Sequence, residues 1–100
     1  GLTAIESASE IAESFPGLAV TLVSAGVVGE SLSRAAQGYF RRALARLRVE
    51  VVEGCAVTAV EPGRVISSSG PIACDVCLWA AGFRAHPLLE RAGLNVNQRG

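Results

Sequence analysis

The residues that could do chemistry in this chain begin at its first position. Gly1-Leu2-Thr3-Ala4-Ile5-Glu6 sets a glycine, a tiny residue three positions on and then a carboxylate at the head of helix-compatible sequence running to Ser14. This has the form of the second half of a dinucleotide-binding turn, G-x-G-x-x-G/A. In that turn the middle glycine lets the backbone approach a pyrophosphate, and the last small residue lets the helix pack close to a strand. On this reading Gly1 is the middle glycine and Ala4 the last small residue. The backbone N–H groups of Leu2 and Thr3, at the positive end of a helix dipole, favour a diphosphate. A plain amphipathic helix preceded by a glycine has the same half-motif. The first glycine and the strand before it would lie ahead of Gly1.

Cys74-Asp75-Val76-Cys77 spells C-x-x-C, which invites a redox or metal reading. A redox pair uses a helix N-terminus to lower a thiol pKa, whereas this pair opens a strand-like run. Residues i and i+3 of a strand point to opposite faces about 10 Å apart, beyond the roughly 7 Å between Cα atoms that a disulfide spans. Adding Cys55 and His86 gives the ligand types of a zinc site, but no second close pair supports one. No G-x-S-x-G elbow anchors a hydrolase triad. These residues indicate a binding domain for a phosphate-bearing ligand rather than catalysis by their own side chains.

Ser24 stands where dinucleotide folds place an acid, about 20 residues past the glycines, to hold the adenosine ribose. Its hydroxyl can bond a ribose but adds no charge assistance. With no arginine in the next several positions, Ser24 predicts modest discrimination between NAD and NADP, under about 2 kcal/mol.

The chain is 100 residues long, enough for one domain spanning 1–100. Half of the residues are hydrophobic, which supports a core. Nine basic and nine acidic side chains cancel, so no electrostatic footprint for nucleic acid follows. No apolar run approaches the roughly 18 residues of a membrane span, so no transmembrane segment is expected. Three cysteines argue against a disulfide framework and suit a reducing compartment, so a cytoplasmic location is expected.

The elements that must position these groups follow in order. Helical spacing of Ile5, Ala8, Ile11, Ala12 and Phe15 predicts a helix over 2–14, ended by Pro16-Gly17. Leu18 to Val23 reads as a buried parallel strand. Ser31 is a plausible N-cap for a second helix with Leu32, Ala35, Ala36, Tyr39, Phe40, Ala43, Leu44 and Leu47 on one face. The arginines beside that face, Arg34, Arg41, Arg42, Arg46 and Arg48, read as solvated in preference to phosphate-binding. Val49 to Gly54 is strand-like. Cys55–Val60, Arg64–Ser67 and Pro71–Ala73 read as an antiparallel meander. Asp75 to Gly82 is an apolar run suited to a central strand, with Ala81-Gly82 at its carboxyl end, where open α/β sheets bind ligands.

Gly1–Glu6 resembles the end of the NAD-binding fingerprint of flavin-dependent pyridine nucleotide-disulfide oxidoreductases. Asp75–Phe83 resembles the strand that closes the same domain, and the spacing between them agrees. The closest flavour is that of type II NADH dehydrogenases. The resemblance implies an α/β, Rossmann-like partial parallel sheet with an antiparallel β-meander, the first strand of the fold missing from these residues. It implies an NAD(P)H-binding segment of a larger flavoenzyme with FAD bound elsewhere, passing hydride to FAD and electrons to a quinone or another acceptor. Gly1, Leu2 and Thr3 would meet the pyrophosphate, Glu6 would sit near the nicotinamide, and Ala81 and Gly82 would line the nicotinamide end. Ser24 departs from the family's acid. The partners implied are the rest of the flavoenzyme. The exposed edges left by the missing strand also suggest a homo-oligomer. The other reading is a stand-alone nucleotide-binding or interaction module without redox activity.

Overall fold

The computed structural model describes residues 1–80. Two helices and five strands follow one another as α1 (Leu2–Ser14), β1 (Thr21–Val23), α2 (Arg34–Arg46), β2 (Glu50–Val52), β3 (Val57–Glu61), β4 (Arg64–Ser67) and β5 (Gly70–Ala73). β1 and β2 pair in parallel with Leu22 opposite Val51, and β3-β4-β5 form a separate antiparallel meander. The chain is thus an α/β, Rossmann-like fragment, as the residue pattern predicts.

α1 forms where apolar residues recur at three and four positions, and it buries Ile5, Ala8 and Ala12. These meet Leu22 of β1, Val28 of the following loop, Leu44 of α2 and Val49 in one core, with Ala4 packed at its margin. Phe15, expected on the same face, is 58% exposed. Its N–H bonds Ile11 O at 2.8 Å and its C=O accepts from Leu18 N, so the chain has already left the helical path that would carry its ring inward.

α2 starts two residues later than expected. Leu32 N donates to Gly29 O, closing a turn ahead of the helix, and Ser33 Oγ accepts from Ala36 N at 3.2 Å as the N-cap. Its apolar face is narrower than the sequence suggests: Leu44 is buried, while Ala35 and Tyr39 are exposed. Tyr39 leans edge-on against Phe40, with ring centroids 5.5 Å apart. The helix ends in a Schellman motif. Val49 N bonds Leu44 O and Arg48 N bonds Ala45 O, with Arg48 in the left-handed region at φ 59°.

β1 is shorter than the expected Leu18–Val23. Its partner β2 supplies only three residues, and the pairing fades at Val20, whose C=O accepts from Glu50 N. The larger correction concerns the strand expected over Asp75 to Gly82, of which residues 75–80 are described. Residues 75–80 form no strand, and Val76, Leu78 and Trp79 are 86%, 63% and 61% exposed. In a doubly wound sheet such a run lies beside a neighbouring strand, and no described strand pairs with it. An apolar run without a ladder partner gains nothing from extending. Ala81, Gly82 and His86 lie outside the described residues.

Candidate functional site

Gly1 is the N-cap residue of α1 and has no side chain to satisfy the helix's first amides. Its C=O accepts from Ile5 N at 3.3 Å, so the helix begins directly after it. A Cβ built on Gly1 would meet nothing within 4 Å among the described residues. Leu2 and Thr3 are exposed in the first turn, and their N–H groups have no intrahelical acceptor by position. Ala4 is half-buried against the core, so the helix lies close to the sheet where a larger residue would hold it off. Glu6 is exposed one turn further on. The donors and the dipole fit a diphosphate.

Ser24 sits at the carboxyl end of β1. Its N–H donates to Val52 O at 2.8 Å and its C=O accepts from Cys55 N at 2.9 Å, which ties its backbone to the end of β2 and the connection after it. Beyond it the loop is held by a residue that sequence reasoning passed over. Glu53, directly after β2, accepts from Val28 N at 2.7 Å and takes both arms of the Arg41 guanidinium at 2.7 and 2.8 Å. The Arg41 fork, then the Val28 amide, pull the Glu53 carboxyl down to about 2 from its usual 4.5. The same pairing raises Arg41. One arginine of the α2 face, Arg41, thus clamps the loop while its side chain stays 41% exposed. Only a charge-pair search across 12 residues would have found it, because the two partners share no helix face.

In the same loop Glu30 folds back over Gly26, its carboxylate oxygens 3.1 and 3.2 Å from where a Cβ on Gly26 would stand. Among the described residues that carboxylate takes part in no hydrogen bond or ion pair.

Cys55 is 1% exposed. The hydroxyls of Ser67 and Ser69 favour its thiolate and lower its pKa against the opposing effect of burial. Cys74 is half-buried and Cys77 exposed, and all three thiols are free. Among the described residues no group of three or more His, Cys, Asp or Glu is placed to hold a metal ion. No described helix is long and apolar enough to cross a membrane. A cleft of about 540 Å³ opens at the far end of α1, lined in part by Glu13, Leu18, Arg46 and Arg48. Two helix C-termini meet there, and their negative dipole ends disfavour a phosphate.

A helix N-terminus, a small residue at the helix–sheet contact and a strand whose carboxyl end opens into a braced loop define half of a doubly wound α/β unit. The chain belongs to the pyridine nucleotide-disulphide oxidoreductase family, whose profile matches residues 1–100. It is 34% identical over 106 residues to the NADH dehydrogenase-like protein MT1860 of Mycobacterium tuberculosis (strain CDC 1551 / Oshkosh), covering 91% of this chain and 26% of that protein. The NADH dehydrogenase-like protein Rv1812c of strain H37Rv matches with the same figures. The NADH dehydrogenase-like protein YutJ of Bacillus subtilis (strain 168) is 26% identical over 101 residues, covering 100% of this chain and 28% of that protein. The chain thus spans about a quarter of the length of these relatives.

Proposed function

We propose that this chain is the NAD(P)H-binding segment of a flavin-dependent oxidoreductase acting in the cytoplasm or at the face of a membrane. The observation that carries the reading is the N-terminus of α1, with Gly1 as cap and Ala4 against the core. The names of the similar proteins support a redox role with NADH as donor. The dinucleotide, when bound, would supply hydride chemistry to a flavin held elsewhere in the protein, for onward reduction of a quinone or another acceptor.

This chain's own work is binding and orientation. The amides of Leu2 and Thr3 donate to the pyrophosphate, and the α1 dipole favours its charge. Glu6 stands one turn along, towards the nicotinamide end. Ala81 and Gly82 would line that end, where the lack of side chains permits close stacking. Ser24 lies at the adenosine end.

The test is Gly1→Val in the full-length flavoenzyme, titrated with NADH. A Cβ at Gly1 meets nothing within 4 Å among the described residues, and an unchanged melting temperature establishes that the variant folds normally. The valine side chain does obstruct a pyrophosphate approaching the backbone. Affinity should fall about tenfold or more, the worth of roughly one charge-assisted hydrogen bond. Unchanged affinity would sink the reading.

A further inference from the structure

We propose that Glu30 takes over the role that the strand-end acid plays in dinucleotide folds, reading the adenosine ribose and selecting a dinucleotide whose 2′ position is a free hydroxyl. The inference rests on the proposed seating of the pyrophosphate at α1. Three observations support it. The position that normally carries the acid is Ser24, which has no charge. Glu30 returns its carboxylate to the same strand end, within 3.1–3.2 Å of the Cβ position of Gly26, two residues beyond Ser24. Among the described residues that carboxylate has no partner, so both oxygens are available as acceptors.

The loop is built to hold it there. Gly54 N donates to Gly26 O, Glu30 N to Val27 O and Val28 N to Glu53, and Glu53 is itself fixed by Arg41. Gly26 has no side chain where the carboxylate lies, so Glu30 can fold over it. The chemistry then separates the two dinucleotides. A carboxylate accepts from ribose hydroxyls with charge assistance. It repels a 2′-phosphate carrying nearly two negative charges near neutral pH. The guanidinium that reaches this loop, Arg41, has both arms engaged by Glu53 and is not free to offset that repulsion. Ser24 alone predicts weak discrimination; with the Glu30 carboxylate over Gly26, a clear preference follows.

The test is calorimetric titration of the full-length protein, flavin oxidised, with NAD+ and with NADP+, so that no electron transfer intervenes. Wild type should bind NAD+ the more tightly. Glu30→Gln should lose about tenfold or more for NAD+, the worth of a hydrogen bond to a charged group, with NADP+ unchanged or improved. Adding Ser24→Asp to that variant should restore the preference. Glu30 is exposed, and an unchanged melting temperature establishes that E30Q folds normally. If wild type binds NAD+ but E30Q leaves both affinities as they were, Glu30 does not read the ribose and the pyrophosphate reading stands. A wild type that prefers NADP+ overturns the proposal and points to Arg34 in the first turn of α2. If neither dinucleotide binds, both readings fall together.

Discussion

Removing the carboxylate of Glu53 takes three hydrogen bonds with it, two from Arg41 and one from Val28. Its carboxyl is held at about 2 in the fold against an ordinary 4.5. A depressed carboxyl contributes stability above its unfolded pKa and loses it as pH falls through the folded one. Glu53→Gln should therefore be less stable than wild type at pH 6, with the gap closing between about pH 4.5 and 2. Denaturant midpoints across that range measure it, and a gap that stays constant down to pH 2.5 excludes the clamp. The pair is partly exposed, so salt should also narrow the gap. Cys55 sets two effects against each other. Serine hydroxyls favour its thiolate, yet it is 1% exposed, and a reagent must touch the sulfur. Access wins: in the native protein Cys77 should react with a thiol reagent within minutes, and Cys55 only after unfolding. Rapid modification of Cys55 would mean that the waist between the sheets opens readily.

At the scale of elements, the end of α2 holds an arginine where glycine is the usual choice. Arg48 sits at φ 59° in the Schellman turn, a conformation that costs a side-chain-bearing residue about 1–2 kcal/mol. Arg48→Gly removes that cost and gives back about 0.4–1 kcal/mol through greater freedom of the unfolded chain. A net gain of about 0.5–1 kcal/mol should appear as a higher denaturant midpoint at unchanged slope. Ala4→Leu tests the opposite end of the helix–sheet contact. Overpacking there should cost about 1–3 kcal/mol and weaken NADH binding by moving α1 off the sheet. These elements also mark what the sequence discloses. α1 was legible to the residue because Ile5, Ala8 and Ala12 keep helical spacing and Pro16-Gly17 stops it. The meander was legible from its turns, Pro62-Gly63 and Ser68-Ser69. The start of α2 was not: Ser31 was the expected cap, and the Gly29–Leu32 turn moves the cap to Ser33. The strand expected after Asp75 failed for a different reason: apolar content marks a segment as wanting burial, but a strand also needs a neighbour. At the candidate site, Gly1 and Ser24 were marked by motif spacing. Glu30 and Glu53 were not, because a loop's return path is fixed by contacts rather than by spacing.

For the molecule as a whole, β1 has β2 on one edge and, among the described residues, nothing on the other. Leu78 and Trp79 are exposed nearby in sequence to the meander's end. An open edge and exposed apolar residues favour pairing with another chain. The 100-residue chain by itself should self-associate in sedimentation and bind NADH weakly. A monomer with micromolar affinity would show that the phosphate turn is complete without a preceding strand.

The division into two sheets has a temporal side. The main core draws on α1, α2, β1, β2 and the loop at Val28, and takes nothing from β3, β4 or β5. The meander buries Val65 and Ser67 beside Cys55 and is tied to the rest by a few backbone bonds at Gly54, Cys55 and Ser68. Few buried contacts and a separate ladder make it a unit that opens by itself. Amide protons of Val57–Ala73 should exchange with solvent together and sooner than those of Leu22 and Val51, so deuterium uptake should divide the chain at Cys55.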